Sequence, residues 1–109
     1  MGFFSTLMGS SGSKKLSRAI REGAFLVDVR TRQEFLTGSV PGAMNIPLDN
    51  LNSQLPLLRG KKAIVVFCMS GGRSGQAKIF LEQQGIQHVI NGGTWQNVKQ
   101  SLKSADYTD

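Results

Sequence analysis

The stretch from Ala63 to Gln84, AIVVFCMSGGRSGQAKIFLEQQ, narrows the folds open to this chain more than any other. Ile64-Val65-Val66-Phe67 is the short unbroken apolar run expected of a strand buried on both faces, and such strands belong to parallel sheets covered by helices. Cys68, the only cysteine, follows at once. Met69-Ser70-Gly71-Gly72-Arg73 then turns the chain, and from Ser74 onward Ala77, Phe80 and Leu81 recur at helical spacing. Ser70 and Ser74 are both candidates for the N-cap of that helix, and Gly85 stands where a left-handed residue would end it.

A thiol at the carboxyl end of a central strand, facing the start of the next helix, lies where sites gather in open α/β sheets. The helix N-terminus offers partial positive charge and unpaired N–H groups to an anion such as a thiolate. Gly71-Gly72 lets the backbone take positive φ and turn amides inward as an anion nest, and Arg73 adds a permanent cation. All of these lower a cysteine pKa. A lone cysteine after an apolar strand is more often an inert buried thiol, and Gly-Gly alone is only a turn. The combination of strand, Cys, Gly-Gly, Arg and helix points instead to a reactive thiolate in a six-residue cradle, wrapped by amides and open to solvent.

At 109 residues the chain has room for one domain. One cysteine excludes an internal disulfide framework, and His88, the only histidine, excludes a Cys/His zinc cluster. That suits a reducing, cytoplasmic setting. The net charge is +6, with basic groups at Lys14-Lys15-Arg18-Arg21 and Arg59-Lys61-Lys62. With one tyrosine and one tryptophan there is no basic-aromatic platform for nucleic acid. Steering of small anions toward the site is the more economical use of the charge.

Along the chain, residues 1–13 read as a flexible arm carrying Phe3, Phe4, Leu7 and Met8, with neither a secretory signal nor a membrane-spanning segment. Residues 14–102 read as the domain and 103–109 as a polar tail. A first helix to Glu22 closes at Gly23, and Phe25 to Val29 is a buried strand with Asp28 and Arg30 at its tip. Thr31 to Phe35 is a helical turn, Pro41-Gly42 a tight turn with positive φ at Gly42, and Ala43 to Pro47 a short strand. Leu48 to Leu55 reads as a helix stopped by Pro56. Gln87 to Ile90 gives another strand, Asn91-Gly92-Gly93-Thr94 a loop, and Trp95 to Leu102 the last helix. Alternating helices and strands imply an α/β fold, a parallel sheet of four to five strands with helices on both faces.

Several separated motifs resemble the single-domain rhodaneses, a sulfurtransferase family, over about Leu16 to Val98. They are Leu26-Val27-Asp28-Val29-Arg30, Glu34-Phe35, Gly38-Ser39-Val40-Pro41-Gly42-Ala43-Met44-Asn45-Ile46-Pro47, Val65-Val66-Phe67-Cys68, Gly71, Arg73-Ser74, and Asn91-Gly92-Gly93 with Trp95. The resemblance implies that Cys68 attacks a sulfane donor such as thiosulfate and becomes a persulfide, which passes its sulfur to a thiophilic acceptor, cyanide or a thiol. It implies no cofactor beyond that covalent intermediate, no nucleic acid and no stable membrane insertion, with a protein acceptor as a further partner. With no second cysteine, the sulfur must leave to an external acceptor.

Site residues follow from the same resemblance. Cys68 is the nucleophile, Met69, Ser70, Gly71, Gly72, Arg73 and Ser74 form the loop, and Asp28 with Arg30 supports it, the aspartate acting through an arginine. Met69 and Ser70 form the rim that chooses the donor, where thiosulfate-preferring relatives often carry basic residues. Family members usually carry histidine at Ser39, an exchange expected to lose a local hydrogen bond. The family also has a fifth strand ahead of the first helix, which only the arm could supply here. Two rivals stand beside this reading: a sulfur-carrier or partner-binding module with little turnover, docking through the arm, and a Cys-based phosphatase or arsenate reductase. The second needs Cys-x5-Arg, and the spacing from Cys68 to Arg73 is Cys-x4-Arg.

Overall fold

A computed structural model describes residues 14–107, with side chains to residue 104. The arm, and with it any fifth strand, lies outside the described residues. A first helix, α1, covers residues 14–21 and leads to β1 (Phe25–Asp28), α2 (Arg32–Leu36) and the two-residue strand β2 (Met44–Asn45). A 3-10 helix (Leu48–Gln54) runs into α3 (Leu55–Arg59), followed by β3 (Ile64–Cys68), α4 (Gly72–Gln83), β4 (Val89–Thr94) and α5 (Trp95–Tyr107). The sheet has the order β2-β1-β3-β4, and every pair is parallel. From β1 the chain steps outward to β2, then crosses back to β3 on the other side of β1. The carboxyl ends of β1 and β3 therefore flank the switch point of the sheet, the place where ligands bind in open α/β folds.

The two-residue period of a strand divides β3 between two cores. Ile64, Val66 and Cys68 face a cluster with Leu51, Leu55, Leu58, Ala77 and Leu81 from the 3-10 helix, α3 and α4. Val65 and Phe67 face Leu16, Ala19 and Val98 from α1 and α5. Helices thus cover both faces. Burying an aliphatic or aromatic side chain contributes about 1.5–3 kcal/mol, so β3, buried at all five positions, is the strand the fold can least spare.

Several boundaries differ from the sequence expectation. Pro56 does not stop a helix at Leu55; it sits in the first turn of α3, where a missing N–H leaves nothing unpaired. The helix from Trp95 continues past Leu102 to Tyr107, so most of the expected polar tail is helical. Asn91 to Thr94 is not a loop but the end of β4, with a register shift between Val66 and Phe67 that leaves Gly92 as the extra residue of a bulge. A Cβ on Gly92 would lie 2.5 Å from Val98 Cγ2 and 3.0 Å from Val65 Cγ1, so glycine there lets α5 press onto β4. The positive φ expected at Gly42 and at Gly85 is present, 84° and 83°. Among the described residues no helix is long and apolar enough to cross a membrane.

Candidate active site

The start of α4 is built around sulfur. Its N-cap is Gly71, in the left-handed region at φ 99°, and it is capped by neither Ser70 nor Ser74. A cap side chain normally accepts from the amides of the first turn. Here Cys68 Sγ takes that place, accepting from Gly71 N at 3.0 Å and from Ser74 N at 3.4 Å. Ser74 Oγ lies 3.4 Å from the same sulfur. The anion-nest geometry expected from Gly-Gly therefore exists, with Gly71 supplying the positive φ.

The sulfur is not open to solvent as the sequence suggested: Cys68 is 0% exposed, while Met69, next in the chain, is 52% exposed. Burial is the largest influence on the thiol and raises its pKa, because it strips water from the thiolate. The Ser74 hydroxyl and the amides of Ser74, Ser70 and Gly71 together outweigh it, and the thiol titrates below its ordinary value. An inert buried cysteine would be pushed the other way.

A ring of polar contacts from β4 holds the loop. Asn91 Oδ1 accepts from Ser74 Oγ at 2.7 Å and from Gly93 N at 2.9 Å, and Asn91 Nδ2 donates to Gly71 O at 3.3 Å. Asn91 is paired with Val66, ahead of the bulge, and so shares the face of the sheet that α4 covers. Thr94 Oγ1, one residue beyond Gly93, accepts from Asn97 N and so caps α5.

The Arg73 guanidinium is engaged by Glu34. Its Nη1 and Nη2 donate to Glu34 Oε1 and Oε2 at 2.7 and 2.9 Å, a two-point pair that ties α4 to α2. Glu34 also accepts from Thr31 N and Thr31 Oγ1, while Glu34 N donates to Thr31 Oγ1, which closes a capping box on α2. The Arg73 side chain, then the Thr31 amide, hold the Glu34 carboxyl down to about 2. Glu34 was legible only as a matching residue, and nothing local in the sequence marks it as the partner of an arginine far along the chain.

Asp28 and Arg30 form a separate brace at the tip of β1, beside β3. Arg30 Nη2 donates to Asp28 Oδ2 at 2.7 Å, and both residues are buried. Arg30 Nη2 also donates to Gly38 O at 2.6 Å, and its guanidinium lies 5.2 Å from the centroid of the Trp95 ring. Ser39 Oγ donates to Asp28 Oδ2 at 2.7 Å, so this position does carry a hydrogen bond to the brace. His88 lies at the amino edge of the sheet, exposed and at φ 61°, a strand's length from Cys68. Lys61 and Lys62 line a hollow with it there, so these charges do not surround the sulfur. No group of three or more potential metal ligands occurs among the described residues.

A family model described as a rhodanese-like domain matches residues 13–100. The chain belongs to that family. It is 35% identical over 81 residues to a sulfurtransferase of Allochromatium vinosum, covering 72% of this chain and 76% of the relative. It is 36% identical over 69 residues to the thiosulfate sulfurtransferase PspE of Escherichia coli, covering 62% of this chain and 66%, just under two thirds, of that protein. The human single-domain sulfurtransferase TSTD1 superposes with a TM-score of 0.64 at 31% identity, over 77% of this chain and 88% of that structure. The rhodanese-like fold, a parallel sheet between helices, and a sulfurtransferase relationship are thereby established at the level of the family.

Proposed function

We propose that this rhodanese-like domain transfers sulfane sulfur through a persulfide on Cys68. The observation that carries the reading is the convergence of the Gly71 and Ser74 amides on Cys68 Sγ at 3.0 and 3.4 Å. The Cys68 thiolate attacks the outer sulfur of a donor; the donor's S–S bond breaks and its electron pair leaves with the remainder, sulfite in the case of thiosulfate. The same amides, the Ser74 hydroxyl and the dipole of α4 hold the negative charge on the thiolate before attack and on the persulfide after it. An external thiol or cyanide then takes the outer sulfur and regenerates the thiolate. Because Cys68 is covered, the donor enters by displacing the exposed rim at Met69 and Ser70.

Oxyanion chemistry fits less well. The ring from Cys68 to Arg73 is one residue short of a tetrahedral-anion loop, and the guanidinium such a reaction needs is paired with Glu34. The covered sulfur favours one second reading, a sulfur carrier that opens only against a partner. In that case Cys68→Ser would abolish loading and leave partner capture intact.

The test is intact-protein mass spectrometry after incubation with a sulfane donor. A gain of about 32 Da that cyanide removes and Cys68→Ala prevents is the expected result. Failure to load from thiosulfate or any other sulfane donor sinks the proposal.

A further inference from the structure

Between Cys68 and Ser74 the loop contains one charged residue, Arg73. Both of its terminal nitrogens are engaged by Glu34, in the forked geometry that makes such pairs strong. Resting on the sulfur-transfer reading above, we infer that Glu34 selects the donor: by holding the Arg73 guanidinium it disfavours the thiosulfate dianion, and Cys68 takes sulfur from a low-charge donor, an alkyl or peptidyl hydropersulfide.

Glu34 is fixed independently of Arg73, because its carboxylate also closes the capping box with Thr31 at the start of α2. A dianion at the loop therefore meets a stationary carboxylate, or must draw Arg73 off it and leave that carboxylate unpaired. Neighbouring arginines do not replace it. Arg30 is buried on Asp28 and Gly38 O. Arg32 precedes Glu34 by two positions on α2, a spacing that puts the two side chains on different sides of a helix. The two exposed residues that follow the cysteine are also neutral: Met69 presents a polarisable thioether, and Ser70 a hydroxyl. That edge suits an alkyl substituent better than a sulfonate.

The step balances without a co-reactant. Cys68–S⁻ attacks the outer sulfur of R–S–SH, a new S–S bond forms, and the old one breaks with its electron pair on R–S⁻. The hydrogen stays on the transferred sulfur as Cys68–S–SH, and no net oxidation occurs.

The experiment measures kcat/KM for loading from thiosulfate and from cysteine hydropersulfide, in the unaltered chain and in Glu34→Gln. Glutamine keeps a capping-box acceptor at that position while removing the charge. The unaltered chain is expected to favour the hydropersulfide at least about tenfold, and Glu34→Gln to raise the thiosulfate value about tenfold, chiefly through KM, as expected for removing one anion from beside a dianion. The hydropersulfide value should change less than about threefold. A preference for thiosulfate in the unaltered chain overturns the inference without any variant, and so does a folded Glu34→Gln protein with an unchanged thiosulfate KM. Loading from neither donor overturns sulfur transfer itself, and the donor assignment with it.

Discussion

Ser74 has one hydroxyl hydrogen and three acceptors within reach: Asn91 Oδ1 at 2.7 Å, Gly71 O at 3.2 Å and Cys68 Sγ at 3.4 Å. With a protonated thiol the hydrogen belongs to Asn91, and the serine oxygen can accept from S–H. With a thiolate it is drawn toward sulfur. Ser74→Ala should therefore raise the Cys68 pKa, because it removes a hydrogen bond that favours the thiolate. The pH profile of iodoacetamide alkylation measures this, and an unshifted profile would remove the hydroxyl from the account. Cys68, Gly71 and Ser74 were legible because they are near in sequence and their spacing has a geometric meaning. Asn91 and Glu34 were legible only as matching residues, with no sign of what they hold, since each meets the loop across 17 to 39 residues of chain. Pattern within one element carries no record of such pairings.

Elements were legible where an unbroken apolar run marked them, as in β1 and β3, and misread where one residue has two uses. Pro56 ends a helix when read from its left and begins one when read from its right; the structure takes the second option. Gly92-Gly93 signals a turn on its own, yet pairing with β3 keeps it in the sheet. The small size of Gly92 is needed by α5, not by a turn. Gly92→Ala should cost about 1–3 kcal/mol, the range for overpacking a filled site, because its methyl would sit 2.5 Å from Val98 Cγ2. Urea unfolding gives the number, and Gly92→Ala combined with Val98→Ala should recover part of it. Equal stability of Gly92→Ala and the unaltered chain would mean that α5 can lift off β4 freely.

At the scale of the whole molecule, the net charge of +6 conveys little about the site. Its arginines are paired one by one, Arg30 with Asp28 and Arg73 with Glu34, while Lys61, Lys62 and His88 gather at the opposite edge of the sheet. Stability should depend on pH at two ends. The Glu34 carboxyl is held at about 2 in the fold, below the value of about 4.3 in an unfolded chain. Its contribution is thus complete above the unfolded value and is lost as pH falls through about 2. Glu34→Gln should flatten that acid limb of the stability curve. The Cys68 thiol is also lowered by folding. Its contribution is full only above the unfolded value of about 8.5 and fades as pH falls through the folded one. The stability difference between the unaltered chain and Cys68→Ala should accordingly grow as pH rises toward the unfolded value of about 8.5, and a constant difference would contradict the lowered thiol.

Because Cys68 Sγ receives the opening amides of α4, whatever becomes attached to that atom rewrites how the helix begins. Loading, alkylation and unloading should each leave a distinct rate of deuterium uptake over residues 71–75. The backbone then keeps a running record of the sulfur's chemical history, readable without following any product.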